Sequence, residues 1–272
     1  MLRSKPLSCA VFGFSVTLLC TSCVGTTGGN VVDFSAAASG PADAEAGTAL
    51  DFSNSNGWQI HLTNAKLHVG AIYLAQTRPT SGAQSTDCIL PGTYVAQVTD
   101  GLDIDLLSSK PQPFPTRGHG TTEFALSGQV WLTQGPVDDP EQPPNSPILT
   151  LEGSATRASD VRPFTAALTI STSNRLQNAS ASEFASPICK QRIVSPIFTS
   201  VQIEEHGGLL LRVDPRLLFV NVDFGALGLG PDGTNYVFAD DSGDSSDQPS
   251  INLYQDLRAA GGLYKFSWDE SL

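Results

Sequence analysis

GWQIHLTNAKLHVGAIYL, residues 57–74, alternates apolar and polar residues through most of its length. Alternation with a period of two marks a strand with one face buried. Asn64-Ala65 falls where a two-residue turn could fold the stretch into a hairpin, although Asn-Gly is the stronger signal for such a turn. That hairpin sets Leu62 opposite Leu67, Ile60 opposite Val69 and Trp58 opposite Ala71 on one apolar face. It also sets His61 opposite His68 on the other face. Directly opposed residues have Cβ atoms about 4.5 to 5.5 Å apart, near enough for two imidazoles to share a copper or zinc ion. The other two histidines are His119 and His206, and no spacing rule brings either to the pair.

The same alternation recurs on both sides of this stretch. Phe124, Leu126, Gly128, Val130 and Leu132 form one such series, and Phe164, Ala166, Leu168 and Ile170 another. Tyr94, Ala96 and Val98 repeat it, as do Leu102, Ile104 and Leu106, then Ile197, Val201 and Ile203. Leu209, Leu211 and Val213 precede a final run of Leu218, Val220, Val222 and Phe224, with Asp214-Pro215-Arg216 as the turn between them. Val31 to Phe34 reads as a first strand. One helix is expected near the C-terminus, from Ser250 as N-cap through Leu257 and Arg258, stopped by Gly261-Gly262. A last strand runs from Leu263 to Trp268. Many short strands with turn residues between them predict an all-β fold, an antiparallel β-sandwich or partly open barrel with one short C-terminal helix. Residues 31–272 form a single domain on this reading.

VDDPEQPPNSP, residues 137–147, carries too much proline for a central strand and reads as a solvated connection. DDSGDSSD, residues 240–247, is acidic, but Gly243 is misplaced for a calcium loop and a polar loop is expected. Asp103 and Asp105 alternate with Leu102, Ile104 and Leu106, which makes them the wet side of a strand rather than a catalytic carboxylate pair. No nucleophile elbow, zinc helix, phosphate loop or dinucleotide fingerprint occurs. A non-catalytic binding or scaffolding module is therefore expected, with metal binding through His61 and His68 as the alternative and a hydrolase of unknown type third.

The first residues supply an address. Arg3 and Lys5 precede an apolar run from Leu7 to Leu19, which ends at Thr21-Ser22-Cys23. That order is the order of an export signal, and the run is shorter than the about 20 residues a membrane-spanning helix needs. Leu19-Cys20-Thr21-Ser22-Cys23 resembles the lipobox of bacterial lipoprotein precursors, with Cys20 standing where that family usually has Leu. The resemblance implies cleavage after residue 22, acylation of Cys23 and a tether over residues 23–30. Val24 after the cysteine implies the outer membrane. Removal of residues 1–22 takes Cys9 and Cys20 away, so with Cys23 acylated the remaining thiols are Cys88 and Cys189. In an oxidising envelope these are expected to pair, closing a loop of about 100 residues worth up to about 4 to 5 kcal/mol. Asn178-Ala179-Ser180 fits a glycosylation sequon that a bacterial lipoprotein would not ordinarily use.

Charge narrows the partners. The formal net charge of −12 falls to about −14 once Arg3 and Lys5 leave with the signal. Nucleic acid is excluded as a natural partner because phosphate binding needs clustered basic residues. The expected partners are the membrane through the lipid and an envelope protein, glycan or small ligand. Trp58-Gln59-Ile60-His61 also resembles envelope copper-binding proteins of methanobactin systems, in which a tryptophan shortly precedes a ligand histidine on an early strand. Here the spacing puts Trp58 and His61 on opposite faces.

Overall fold

The computed structural model describes residues 28–78, 93–134, 146–170, 192–240 and 247–272. Cys23, Cys88, Cys189, the sequon at Asn178 and most of the two polar loops lie outside those residues. Among the described residues there are fifteen strands: β1 (Val31–Ser39), β2 (Leu50–Ser53), β3 (Gln59–Val69), β4 (Ala71–Ala75), β5 (Tyr94–Val98), β6 (Leu102–Asp105), β7 (Gln112–Pro113), β8 (Gly118–Thr121), β9 (Phe124–Trp131), β10 (Leu149–Arg157), β11 (Asp160–Leu168), β12 (Ile193–Gln202), β13 (Gly208–Val213), β14 (Tyr236–Phe238) and β15 (Tyr264–Asp269). They form two sheets. The larger runs β12-β9-β4-β5-β8-β1-β13-β15, with β7 paired on β1; the smaller runs β14-β11-β10-β3-β2, with β6 paired on β3. β15 lies against β12, so the larger sheet nearly closes on itself. Most pairings are antiparallel, the exceptions being β1 with β13 and β11 with β14. The expected all-β sandwich or partly open barrel is what forms.

The hairpin at Asn64-Ala65 does not form. Residues 59–69 make one continuous strand, and β10 runs beside nearly all of it. Its irregularity is a bulge: Glu152 faces Asn64 but Gly153 faces Leu62, leaving Thr63 as the extra residue. The Thr63 hydroxyl donates to Glu152 O at 3.1 Å across the gap. One inserted residue shifts the side-chain phase, so Ile60 and Leu62 before the bulge and Ala65, Leu67 and Val69 after it all face the core. A two-residue hairpin does occur elsewhere. β10 returns into β11 with Arg157 opposite Asp160, and Ala158 takes the positive φ of 54° that such turns call for.

β3 passes into β4 through Gly70, where the chain leaves the smaller sheet for the larger. Gly70 N–H donates to Trp131 O at 2.8 Å, and a Cβ there would lie 2.4 Å from Thr133 O. Only glycine fits so close a crossing.

One apolar core fills the space between the sheets. Its densest part is a set of four buried rings, Phe164, Phe219, Phe224 and Phe238, with centroids 5.0 to 6.3 Å apart. Phe219 and Phe224 come from the segment expected as a strand. Instead Pro215–Phe219 and Phe224–Ala226 are short 3-10 turns, capped by Asp214 and Asp223 whose side chains accept from Arg216 and Gly225 N–H. The C-terminal helix, α1, spans Gln248–Leu257. Its N-cap is Asp247 rather than Ser250; Asp247 accepts from Ser250 N–H at 2.6 Å and from its hydroxyl at 2.8 Å. Together these pieces make a helical cap over one end of the sandwich. No helix among the described residues is long and apolar enough to cross a membrane.

Candidate functional site

With the hairpin gone, His61 and His68 do not face each other. They lie six to seven strand steps apart on β3, about 20 Å along the chain. The bulge between them keeps both on the outer face. The paired-histidine geometry expected for copper or zinc is therefore corrected. Among the described residues no three His, Cys, Asp or Glu side chains converge as a metal would require.

Each of these histidines instead meets an aspartate directly across the ladder. His61 faces Asp51 on β2 and His68 faces Asp103 on β6, with Nδ1 to carboxylate distances of 2.7 Å in both. His119 on β8 repeats the arrangement with Asp33 on β1, also at 2.7 Å. An Nδ1–carboxylate contact is what orients a metal-ligating imidazole. At His68, however, Nε2 is buried with no partner and lies against Gly101, where a Cβ would stand 2.8 Å away. That nitrogen is covered by backbone. Asp103 is occupied by His68, while Asp105 accepts from Leu107 N–H at 3.0 Å, so the two carboxylates have separate tasks.

The His119 pair belongs to a longer arrangement. Gln129 on β9 faces Tyr73 on β4; Tyr73 faces Gln97 on β5; Gln97 faces His119; and His119 faces Asp33. Five side chains thus form one row across five neighbouring strands. At about 4.8 Å per strand the row is about 20 Å long. It passes from a buried end at Gln129 to an open end, where the His119 and Asp33 side chains are 59% and 65% exposed. Rings flank the buried end. Tyr73 lies between Tyr94, at 5.4 Å, and Trp131, at 5.1 Å. The Gln129 amide donates to Tyr94 Oη and accepts from Trp131 Nε1, both at 3.2 Å. A row of amide, phenol, imidazole and carboxylate beside flat rings can hydrogen-bond and stack at once.

A second polar cluster sits on the other sheet. Trp58 is fully buried, and its Nε1 donates to Asp223 Oδ1 at 2.8 Å. The Arg157 guanidinium covers the indole at 4.3 Å and reaches Asp223 at 3.4 Å. Arg162 binds Phe224 O at 2.8 Å and stacks on Tyr236 at 4.6 Å. The Trp58 N–H holds the Asp223 carboxyl below its usual range, helped by Gly225 N–H and the two arginines against an opposing effect of burial. These contacts fasten the 3-10 cap to β3, β10 and β11, a structural duty.

Neither the row nor the Asp223 cluster was visible in the sequence, because their members come from strands far apart in the chain. One signal was available: Tyr73 and Trp131 are aromatic residues in the polar phase of their strands.

No protein-family model matches the chain, and no curated protein matches it. Among solved structures it is similar to MbnP from Methylosinus trichosporium, at 12% identity over 88% of this chain and 98% of that one, with a TM-score of 0.40.

Proposed function

We propose that this chain is an exported envelope lipoprotein, held at the outer membrane through Cys23, whose all-β domain is a non-catalytic binding module. Its ligand surface is the accessible part of the row, Tyr73–Gln97–His119–Asp33, and the ligand class is a polyhydroxylated chain such as an envelope glycan. The row itself is the observation that carries this reading. Its spacing of about 4.8 Å suits an extended ligand laid across the strands. Alternating ring and hydrogen-bonding groups suit a molecule with apolar C–H faces and hydroxyl edges. The acidic surface argues against phosphate-rich partners.

Isothermal titration of the purified domain with envelope oligosaccharides tests the ligand class. Gln97→Ala and Tyr94→Ala should each weaken binding by about tenfold, the equivalent of about 1.4 kcal/mol. Folded wild-type protein that binds no envelope glycan would overturn the assignment. Intact-mass analysis of the mature N-terminus tests the anchor separately.

A further inference from the structure

The chain entering β1 is bolted to one pole of the barrel. Gly29 N–H donates to Glu123 Oε1 at 3.1 Å, and Asn30 N–H to the Thr122 hydroxyl at 2.9 Å. The Asn30 side chain donates to Glu205 Oε1 at 2.9 Å, and Thr122 N–H returns to Asn30 O at 2.9 Å. Strand register shows what shares this pole. Val31 faces Thr121, Ser35 faces Gly208, Gly208 faces Asp269, and Phe124 faces Gln202. The turn 121–124, the loop 203–207 and residues 269–272 therefore ring the point of entry. That rim carries Glu123, Glu204, Glu205, Asp269 and Glu270 beside His206, and the chain leaving β4 brings Arg78 to the same pole. Arg212, Arg216 and Lys265 belong to the opposite pole, beside the helical cap.

We infer that the acidic rim is the part of the domain held nearest its membrane, with the helical cap at the opposite pole. This rests on the acylated Cys23 of the proposed function. From Cys23 to the pinned Gly29 is six residues, which reach at most about 20 Å when extended. The rim is thus confined near the headgroups while the cap lies a further nine-residue strand away, about 30 Å. Anionic lipid repels the rim, and screening extends only about 8 Å at physiological ionic strength.

The three tryptophans mark three heights. Trp268 is in the rim, its Nε1 donating to His206 O at 2.8 Å. Trp131 is at the far end of β9 from Phe124, and Trp58 is beneath the cap. The native acylated protein is placed in anionic vesicles containing a dansyl-headgroup lipid, and tryptophan-to-dansyl energy transfer is read. Trp268→Phe should lose the larger part of the transfer, and Trp131→Phe little. Glu204→Lys with Glu205→Lys, which leaves all three indoles in place, should raise the transfer by letting the rim approach. Equal losses from Trp268→Phe and Trp131→Phe, or no gain on charge reversal, overturn the orientation and leave the anchor standing. An N-terminal mass without lipid removes both.

Discussion

Ala65→Gly separates a continuous β3 from a hairpin at the same residues. In a two-residue turn, Asn-Gly is a better pair than Asn-Ala, so the substitution would stabilise a hairpin. In the structure Ala65 is fully buried in mid-strand, faces Leu151 on β10, and accepts from Leu106 N–H at 2.8 Å. Losing its methyl group forfeits about 0.8 kcal/mol of burial. Glycine in a strand interior costs about 0.5–1 kcal/mol more. The two together give a destabilisation of about 1.3–1.8 kcal/mol. With an m-value of about 2–3 kcal/mol/M, the urea midpoint should fall by about 0.5–1 M at unchanged slope. Equilibrium urea unfolding, followed by fluorescence and circular dichroism, reads this directly. A midpoint that stays put or rises would refute the strand, the bulge at Thr63 and the separation of His61 from His68 together.

Gly128→Ala should cost about 1–3 kcal/mol by overpacking, because a Cβ there falls 2.3 Å from the buried Phe266 ring; pairing it with Phe266→Leu should recover part of the loss in a thermal-unfolding double-mutant cycle. Trp58→Phe removes the main hydrogen bond that lowers the Asp223 pKa. A lowered carboxyl contributes stability above its unfolded pKa and loses it as pH falls, so the difference between wild type and Trp58→Phe should shrink as pH drops below about 4. A constant difference from pH 7 to pH 3 would contradict this. Zinc or copper titration of the untagged domain should show no site lost in common by His61→Ala and His68→Ala; a shared stoichiometric site would mean the two imidazoles meet.

Alternation alone was enough to place β11 and β13: Phe164, Ala166 and Leu168 are buried, as are Leu209, Leu211 and Val213. Residues 57–74 misled because a bulge and a turn both interrupt the period by a single step, and only the partner strand distinguishes them. Phe124, expected inside, is 40% exposed while Ala125 is buried. There the irregularities lie in the pairing of β9 with β12, between Val194 and Ile197 and between Phe198 and Val201. Leu218, Val220, Val222 and Phe224 alternate on paper, yet Asp214-Pro215 opens a 3-10 turn and Val220 is left 38% exposed. The histidines were found but their partners were not. Asp51, Asp33 and Asp103 each sit on a different strand, and register is a long-range property.

β1 joins the two halves of the functional argument. Asp33, the open end of the row, is three residues from Asn30, which is pinned to the rim. β8 pairs antiparallel with residues 31–34 and β13 parallel with residues 35–39, so both ladders lie along the direction of any pull from the tether. Such a load is borne by many hydrogen bonds at once, whereas a strand pulled sideways opens them one at a time. Ala36, Ala37 and Ala38 are buried, which lets β1 pack closely on both sides and resist sliding. Under the proposed Cys23 anchoring, a ligand on the row would bind to the strand that follows the tether, and force between ligand and membrane would run through β1 without crossing the helical cap. Trp58, Asp223 and the four-phenylalanine cluster lie off that line, consistent with their role in holding the sandwich together.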